Sequence, residues 1–482
     1  MSSYFAVVFT DLVRHSLVWG RVPHNTMTMI IAEYRYLAQS LAGQYGKRHE
    51  NFTGDGHLFL FETADVAVHF GLKLLAYWKH RRRSLIAVHK AQDLPIRIGC
   101  HFGQCSQLAD ADVWLGRAIN IAKRVEDAAE PDSFFVTQTI LELIDLPFYT
   151  FNDAGTHSLR GDFLPERKLY RLLAIDYAAL AERPAEEMSA EDWFLKAVGT
   201  TDREGWNSEE EAQCYKEAIR LRSNYPEAHN NLAIVLKAAG EKKAAAEHYQ
   251  EAIRLWPNYS EAHYNYAILL EEIEDKSDAA RHYRQAIQYR PDYTDARLRY
   301  AGLLASSGEF SDAEQLYQEV LRLRPGYAEA HNNYGVFLER RGQSAAAEQH
   351  YLQALEQRPN YAEAHYNYAM MLESVDRLKA EEHYRAAIQI FPDYAEAHNN
   401  VAVLLHEKGD LAGAERHYST ALRLRPSDAE TNYNFALLAE AKGDNEAANR
   451  YFRLSKELAL AGKQSHRSND NGPQSGSGQT EH

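Results

Sequence analysis

Cysteine is scarce in this sequence, and what is missing around the few cysteines excludes two kinds of site. Only Cys100, Cys105 and Cys214 occur in 482 residues. Three cysteines form no disulfide framework, so we expect a reducing compartment. Cys100 and Cys105 lack a second Cys/His pair at zinc-site spacing, and we expect both to be buried strand residues.

Long apolar runs are absent too. No stretch approaches the roughly 20 apolar residues that span a bilayer, and no charged segment followed by an apolar run marks a signal peptide. We therefore predict a cytoplasmic protein without a membrane span. The formal net charge of −15 argues against binding nucleic acid by bulk electrostatics. The basic run at positions 80–83 is typical of the solvated end of a helix.

The C-terminal half contains an internal repeat, and the length of the chain already predicts two or more domains. The string E-A-H recurs at intervals of about 34 residues. Its alanines are Ala228, Ala262, Ala330, Ala364 and Ala397. A small residue at the eighth place, a tyrosine late in each second helix and a proline after it accompany the string.

Each repeated feature has a physical role. Small residues let two helices approach, aromatic rings fill the gap between units, and proline stops the second helix. The pattern resembles the tetratricopeptide repeat, with seven recognisable units from Pro226 to about Leu460. One unit is a residue short, and a degenerate unit around Tyr215 precedes the series. We predict an all-α superhelix over 206–462, in which each unit packs on its neighbours.

An asparagine recurs at the sixth place of most units, which should face the concave groove of the superhelix. An amide both donates and accepts, so this series predicts binding of a protein or an extended peptide through its backbone. It resembles the asparagine series of glycosyltransferase-associated arrays, although no sequence remains here for a glycosyltransferase domain. The alternative is that these asparagines are merely solvated. They are Asn231, Asn265, Asn333, Asn367, Asn400 and Asn434, with Arg299 in the third unit.

A histidine series occupies the fourth place of five units. The units are stacked roughly 10 Å apart per helix layer, whereas ligands of one metal ion lie about 2 Å from it. These histidines therefore cannot converge on an ion, and we predict that they are packing residues: His229, His263, His331, His365 and His398. The tail at 463–482 is rich in Ser, Gly, Asn and Gln, and we expect it to be disordered.

In the first 175 residues, short apolar runs alternate with helical stretches. Strands are predicted at 4–9, 94–102, 134–136 and 169–173, with a hairpin at 51–61 around Gly54-Asp55-Gly56. Helices are predicted at 26–45, 64–78 and 115–129. This order predicts an α+β sandwich.

Two aspartates stand at turns beside strands. Asp11 ends the first strand within F-T-D-L, and Asp55 lies at the hairpin tip within T-G-D-G. If the two strands are neighbours, the carboxylates meet at one edge of the sheet. Paired carboxylates suit two divalent ions that bind a triphosphate. The alternative is two unrelated turn aspartates in an unrelated α/β module.

Five motifs in order carry a second resemblance. They are V-V-F-T-D-L-V-R-H-S-L-V-W, N-F-T-G-D-G-H-L-F-L-F, I-R-I-G-C-H-F-G, L-G-R-A-I-N-I-A-K-R-V and L-R-G followed by Pro165 and Leu169-Tyr170. Over about 170 residues this segment is similar to the class III adenylate and guanylate cyclase domains. The resemblance implies a ferredoxin-like sandwich at 1–175, joined to the repeats by a connector at 176–205.

The resemblance also assigns residues. It implies that Asp11, Asp55 and the backbone carbonyl of Leu12 bind two divalent ions, Mg or Mn. Asn120 and Arg124 match the asparagine and arginine that steady the ribose and the reacting phosphate. The implied reaction converts ATP or GTP to a 3′,5′-cyclic nucleotide and pyrophosphate. Family sites form between two domains, so a homodimer is implied.

Three positions depart from the family pattern. Asn51 stands where the family has its base-reading lysine, and Val113 where it has the partner aspartate; Asp112 is one place away. Arg14 replaces a glycine that lets the backbone approach the phosphates, although its guanidinium can itself bind phosphate. Arg160 is a candidate phosphate contact. The sequence thus leaves two readings open: a cyclase with a partner-binding array, or a weak or inactive cyclase-like domain in a scaffold.

Overall fold

The computed structural model describes residues 2–13, 24–52, 56–89, 94–107, 114–144, 146–159, 166–175, 183–200 and 208–469. The chain divides into two compact units, Met1–Gly326 and Tyr327–His482. The first unit therefore includes the N-terminal sheet together with the earliest repeats. We describe each unit by itself.

One mixed sheet organises the N-terminal part. Its described strands run in the order β2-β3-β1-β4-β6-β8-β7, with β5 paired to β4; β4 and β6 are parallel and the other neighbours antiparallel. The strands are β1 (Ser2–Leu12), β2 (His49–Phe52), β3 (Gly56–Phe61), β4 (Ile96–Gln107), β5 (Trp114–Leu115), β6 (Ser133–Thr137), β7 (Tyr149–His157) and β8 (Arg167–Ile175).

Helices cover both faces of this sheet. Alternate residues of a strand point to opposite faces, so both sets of side chains are buried. Ala6 and Val8 of β1 join one hydrophobic cluster with Tyr34 and Trp78, whereas Val7 lies in another cluster with Ala122. The helices are α1 (His24–Gln44), α2 (Ala64–His89), α3 (Arg117–Ala128) and the short α4 (Gln138–Leu141). The α+β fold predicted for this region is confirmed.

Strands β5 and β7 and the short helix α4 were not predicted, and helix α2 is longer than predicted. Strand β7 was missed because its sequence, Y-T-F-N-D-A-G-T-H, has little apolar character and its residues are mostly exposed. Helix α2 continues to His89, well past the predicted end at Trp78. Cys100 and Cys105 are buried in β4, as predicted.

The rest of the chain is a series of antiparallel helix pairs, which confirms the all-α repeat architecture. The helices are α5 (Ala190–Thr200), α6 (Ser208–Leu221), α7 (Pro226–Ala238), α8 (Lys242–Leu255), α9 (Ser260–Glu272), α10 (Lys276–Tyr289), α11 (Thr294–Ser306), α12 (Phe310–Leu323), α13 (Ala328–Arg340), α14 (Ser344–Gln357), α15 (Ala362–Leu372), α16 (Arg377–Ile390), α17 (Ala395–Glu407), α18 (Leu411–Leu424), α19 (Ala429–Ala441) and α20 (Asn445–Asn469).

The small eighth residue and the late tyrosine pack against each other within a unit. A Cβ atom added at Gly335 would lie 2.8 Å from Cε1 of Tyr351, so the ring occupies the space of a side chain there. The tyrosines of α8, α10, α14 and α16 are fully buried. The aromatic residue therefore fills the gap that the small residue opens.

The short fifth unit lacks the turn residue that its neighbours place in the left-handed region. Gly342 (φ 74°) and Gly409 (φ 84°) are such residues, and Glu274 (φ 64°) is in that region without being a glycine. Between α15 and α16 no described residue has positive φ, and Asp376 caps the next helix by accepting from the backbone N–H of Lys379. The turn thus closes with one residue fewer.

Two predicted boundaries differ from the helices observed. Helix α5 lies inside the predicted connector at 176–205 and packs against α6, as the first helix of the degenerate unit. Its buried Phe194, Leu195 and Val198 do not follow the repeat consensus, which is why it was overlooked. Helix α20 extends to Asn469, past the predicted start of the tail; positions 470–482 lie outside the described residues. No helix in the described part of the chain is sufficiently long and apolar to cross a membrane.

Candidate active site

Asp11 ends β1 at the centre of the sheet. It stands opposite Gly56 of β3 on one side and Arg97 of β4 on the other. Strand β1 and β3, the strand that begins directly after Asp55, are neighbours in the sheet, which is the condition under which the two carboxylates would meet at one edge. Asp55 lies outside the described residues, but it directly precedes Gly56 in the sequence. The sheet register thus brings the chain next to Asp55 to the edge where Asp11 lies.

A series of alternating charges surrounds Asp11. Arg97 donates a hydrogen bond from Nη2 to Oδ2 of Asp11 at 2.7 Å, and its Nε lies 3.0 Å from Oε1 of Glu126. Lys123 forms an ion pair with the other carboxylate oxygen of Glu126. Asp11 is only 9% exposed, so its carboxylate is held in a partly desolvated place by a neighbouring cation.

The buried Glu126 has an altered acidity. Its burial raises its pKa to about 7, although Lys123 and Arg97 both act to lower it. Burial alone would lower the pKa of Arg97, but its hydrogen bond to Asp11 and its pairing with Glu126 leave that pKa raised. The guanidinium beside Asp11 therefore stays charged. The sequence identified Arg97 only as part of the I-R-I-G motif and not as a site residue, because its contact with Asp11 depends on the register of β1 and β4.

Helix α3 carries Asn120 and Arg124 on its exposed side, one turn apart. The helix approaches the sheet closely at Gly99, where an added Cβ atom would lie 2.1 Å from the backbone nitrogen of Glu126. The glycine of the I-R-I-G motif is therefore needed for this helix position. Arg124 donates to Asp127 at 3.2 Å.

The remaining predicted nucleotide residues are described only in part. Asn51 is an exposed residue of β2, paired with Leu58 of β3. Arg14, Asp55, Asp112, Val113 and Arg160 lie outside the described residues. The base-reading assignments therefore stay predictions. Among the described residues, no three His, Cys, Asp or Glu side chains group closely enough to hold a metal ion.

A cavity of about 700 Å³ opens beside Asn51 within the unit Met1–Gly326. Phe52 and Arg35 line it from the sheet side, and Trp256 and Arg290 line it from the repeats. The repeats thus reach the strand that carries one predicted nucleotide residue.

Helix α1 is bound to the repeats by a buried ion pair. Arg324, at the end of the third complete unit, donates from Nε and Nη2 to the carboxylate of Glu33 at 2.7 and 3.0 Å. The two side chains are 9% and 5% exposed. The guanidinium also covers the ring of Tyr36 at 3.7 Å, and the Tyr36 hydroxyl donates to Asp295. Two planar donors meeting two acceptors fix the position of α1.

Further along α1, polar contacts continue with the preceding unit. Gln39 donates to Oδ2 of Asp292 at 2.7 Å and accepts from Nη2 of Arg290 at 3.2 Å. Arg35 pairs with the same Asp292 at 2.6 Å. Although burial opposes it, the bond from Gln39 and the charges of Arg290 and Arg35 hold the pKa of Asp292 below its ordinary value.

At its C-terminal end, α1 approaches the repeats through glycine. The carbonyl of Gly43 accepts from the hydroxyl of Tyr259 at 3.2 Å, and a Cβ atom at Gly43 would lie 2.3 Å from Oε1 of Glu261. Beyond it, Lys47 lies 3.6 Å from Glu261. These contacts were missed by sequence reasoning. The available signal was the recurrence of charged residues at fixed places of each unit.

The asparagine series is bonded within the array. Asn265 donates to Asn230 at 3.1 Å, and Asn367 and Asn434 donate to the equivalent residues of their preceding units, at 3.0 and 3.2 Å. Asn231 and Asn400 donate to tyrosine hydroxyls, and Asn333 accepts from Asn332. An amide nitrogen carries two hydrogens, and each of these bonds uses one. The predicted peptide contacts remain untested.

Each predicted packing histidine is paired with a second histidine from the other helix of its unit. In the second unit, Nδ1 of His263 lies 2.8 Å from Nδ1 of His282, and its Nε2 lies 3.0 Å from the carbonyl of Pro257. The carbonyl only accepts, so Nε2 carries the proton and Nδ1 accepts from His282. The same pairing recurs at 229–248, 331–350, 365–383 and 398–417.

Comparisons with known proteins agree with this division. The family model described as "Adenylate and Guanylate cyclase catalytic domain" matches residues 2–174. Two family models described as "Tetratricopeptide repeat" match residues 274–332 and 304–370, and residues 210–260, 230–287 and 372–429.

Individual relatives share part of their length with this chain. A curated protein of Rhizobium meliloti (strain 1021), named "Putative adenylate cyclase 3", is 26% identical over 160 residues, which are 32% of this chain and 26% of that protein. This chain therefore spans about a quarter of the length of that relative.

Solved structures resemble each part. The adenylyl cyclase CyaB from P. aeruginosa is 22% identical, covers 36% of this chain and 95% of its own, and has a TM-score of 0.34. A structure of pilF from Pseudomonas aeruginosa is 19% identical, covers 44% of this chain and 97% of its own, and has a TM-score of 0.39. From the family matches, the chain carries a domain of the adenylate and guanylate cyclase catalytic family at its N-terminus and tetratricopeptide repeats in its C-terminal region.

Proposed function

We propose that this protein is a nucleotidyl cyclase that converts ATP or GTP to a 3′,5′-cyclic nucleotide and pyrophosphate, with repeats that bind a protein partner. The observation that carries this proposal is the register of β1 and β3, which sets Asp11 opposite Gly56, the residue after Asp55. The family match over residues 2–174 supports it.

The residues around Asp11 fit a hard divalent cation such as Mg or Mn, because carboxylate and carbonyl oxygens are the ligands these ions prefer. The guanidinium of Arg97 at 2.7 Å from Asp11 indicates that a positive charge is accommodated there. Asp11, Asp55 and the carbonyl of Leu12 would hold two ions, which when bound neutralise phosphate charge and lower the pKa of the attacking hydroxyl.

The chain's own groups would position the nucleotide and stabilise charge. In the reaction the ribose 3′ oxygen bonds to the α-phosphorus, and the bond to pyrophosphate breaks. Asn120 would orient the ribose through its amide, and Arg124 would turn from Asp127 to the α-phosphate, where negative charge develops. Arg14 and Arg160 are assigned to the other phosphates, and Asn51 and Val113 to the base.

The array would act on this site through α1. Helix α1 follows the segment after Asp11 and precedes β2, which carries Asn51. The repeats hold α1 through Arg324 and Arg290. A partner bound to the repeats would therefore shift both the segment after Asp11 and the strand that carries Asn51. By resemblance to the family, we also propose a homodimer with shared sites, acting in the cytoplasm.

Cyclic nucleotide production by the purified full chain tests the proposal. ATP or GTP is supplied with Mg²⁺ or Mn²⁺, and we expect one substrate to give product. The Asp55→Ala variant should lose at least about 100-fold in rate, roughly 2.7 kcal/mol of transition-state stabilisation. Asp153→Ala, a matched change at an exposed aspartate of β7, should retain the activity. Equal loss in both variants would contradict the assignment of Asp55.

The second candidate is a weak or inactive cyclase-like domain in a scaffold. The ion pair between Arg97 and Asp11 favours it, because the guanidinium competes with a metal ion for the carboxylate. Asn51, Val113 and Arg14 point the same way. Under this candidate, the folded full chain binds nucleotide in calorimetry and yields no cyclic product with either base or either metal.

A further inference from the structure

Every boundary between neighbouring repeats carries the same kind of residues. We call these a junction set: an arginine or aromatic residue before the proline, a tyrosine three places later, and a carboxylate two places after that. The sets recur with the repeat period; the first has Ser223 in place of the proline, and the last has Asp428 in place of the tyrosine. They are Arg222/Tyr225/Glu227, Trp256/Tyr259/Glu261, Arg290/Tyr293/Asp295, Arg324/Tyr327/Glu329, Arg358/Tyr361/Glu363, Phe391/Tyr394/Glu396 and Arg425/Asp428/Glu430.

In the unit Met1–Gly326, α1 and the segment after it cover the first sets. Gln39 meets Arg290, Gly43 meets Tyr259 and Glu261, and a Cβ atom at Gly46 would lie 2.4 Å from the side chain of Glu227. These contacts are three or four residues apart: Gln39 and Gly43 are separated by one helical turn, and Gly46 lies in the turn that ends the helix.

The cover ends in two basic residues. Lys47 lies 3.6 Å from Glu261, and Arg48 lies 3.1 Å from Glu227. Arg48 also stacks on the ring of Trp256 at 4.7 Å. Although burial opposes it, Lys47 and Arg290 hold the pKa of Glu261 below its ordinary value. Acidic and aromatic junction residues therefore pair with a basic segment that directly follows the covering helix.

The unit Tyr327–His482 repeats these sets, and among its described residues their side chains are more exposed. Arg290 pairs with Glu261 of the preceding set at 3.2 Å, with side chains 4% and 12% exposed. Arg358 pairs with Glu329 in the same way at 3.2 Å, but there the side chains are 40% and 46% exposed. The local geometry is thus retained while the burial differs.

The order of the sets also recurs. Trp256 lies between Arg222 and Arg290, and Phe391 lies between Arg358 and Arg425. Phe391 is 51% exposed, and Arg425 pairs with Glu396 with side chains 60% and 39% exposed. An exposed aromatic residue thus lies among acidic and basic groups in the same order as on the covered surface, a combination typical of docking surfaces.

We propose that the junction sets of Arg358, Phe391 and Arg425 bind a helix of a partner protein that has the chemistry of the end of α1. That helix and the turn that ends it have two small residues three apart, an amide or carboxylate one turn before them, and two basic residues directly after them. The small residues lie against Tyr394, Glu396 and Glu363. The basic residues pair with those glutamates and stack on Phe391, and the amide meets Arg425. This inference rests on the proposed partner-binding role of the array and not on turnover.

A helical peptide provides the test. The probe is a fluorescent peptide of residues 30–52 of this chain, with Tyr34, Leu41 and Tyr45 replaced by Gln because these residues lie in the core of the sheet domain. It is titrated into the full-length chain, and binding is followed by anisotropy. We expect saturable binding that weakens at least about tenfold in the Phe391→Ala and the Glu396→Lys chains. Glu446→Lys, a charge reversal at an exposed place of α20, should not change it.

Changes in the peptide complete the design. A Gly43→Leu peptide should bind at least about tenfold more weakly, because the close approach is lost. If the Phe391→Ala and Glu396→Lys chains bind the peptide as tightly as the unsubstituted chain does, the proposal is overturned. The proposal is also overturned if Glu261→Lys is the only substitution that abolishes binding, because the peptide would then be replacing α1 on the first junction sets. Equal binding by a peptide with Ala38→Pro and Ala42→Pro overturns it in favour of an extended ligand.

A second copy of the chain is the remaining occupant. Sedimentation without peptide would then show self-association that Glu396→Lys abolishes, and that result overturns the assignment to a partner protein. All of these readouts are independent of cyclic nucleotide production. If the chain makes no cyclic nucleotide, the proposed function is wrong, but the binding measurements still test this inference.

Discussion

Two equivalent arginines of the array pair with glutamates in different surroundings. Arg324 and Glu33 are 9% and 5% exposed, because α1 lies over the junction. Arg358 and Glu329 are 40% and 46% exposed. A buried charge depends on its partner because water cannot replace it, whereas an exposed pair contributes little. The same repeated arginine is therefore part of a buried contact in the first region, whereas in the second region it is exposed to solvent.

The largest expected effect comes from breaking the buried pair. Arg324→Ala leaves Glu33 buried without its cation, and we expect the free energy of unfolding to fall by about 3–5 kcal/mol. Arg358→Ala, the matched change at the exposed pair, should cost about 0–1 kcal/mol. Urea denaturation of both full-length variants measures the difference. Equal losses would show that the cover by α1 does not determine the energetics.

The next effect concerns the space between α1 and the repeats. Gly43→Val places side-chain atoms where Oε1 of Glu261 lies 2.3 Å from an ideal Cβ atom, and we expect a loss of about 1–3 kcal/mol from overpacking. Gly302→Ala in α11 is the control, since its Cβ atom would meet only the Tyr317 hydroxyl at 4.0 Å. It should gain about 0.5–1 kcal/mol. Hydrogen exchange of α1, faster only in Gly43→Val, locates the effect.

The smallest effect sharpens the comparison by pH. Burial, then the charge of the partner histidine, lowers the pKa of His282, His350, His383 and His417 to about 4. Their pKa in the unfolded chain is about 6.5. Between these values the unfolded chain binds protons that the folded array does not, so stability is complete above pH 6.5 and is lost as the pH falls toward 4.

The histidine prediction is measured as the slope of stability against pH. Replacing His350, His383 and His417 by Leu should make the slope shallower, by on the order of 1 kcal/mol in sum after solvent screening. The place is occupied by Leu316 in the third unit, so leucine is compatible with the helix pair. His406→Leu, a change outside the pairs, is the control. An unchanged slope in the triple variant would refute the assignment.

The fold was predictable where local patterns decide it. Period, small residues and prolines located the repeat helices, because each unit packs mainly with its neighbours. In the sheet domain, apolar runs located β1, β3 and β4. Strand β7 was lost because its stability comes from pairing with β8 rather than from apolar residues of its own. Helix α5 was lost because its packing residues follow no consensus.

The site was predictable only in part. Asp11 was proposed from its turn and its motif, and β1 pairs with β3, the strand that begins directly after Asp55. The roles assigned to the two aspartates stay predictions. Arg97 was missed because its contact with Asp11 depends on the register across β1 and β4. The contacts of α1 with Arg290 and Arg324 join residues more than 250 positions apart. No periodicity within either segment identifies such a contact.

The regular advance of α1 along the junctions has a mechanical consequence. Hydrogen bonds fix one turn of a helix at about 5.4 Å, so α1 has a fixed length, whereas the spacing of stacked repeats depends on the curvature of the array. Glu33 in the middle of the helix and Gly43 near its C-terminal end contact different junctions. Straightening the array would separate those junctions and break one contact or the other. Helix α1 thus restrains the curvature of the first repeats. A change in that curvature would strain the contacts between α1 and the repeats.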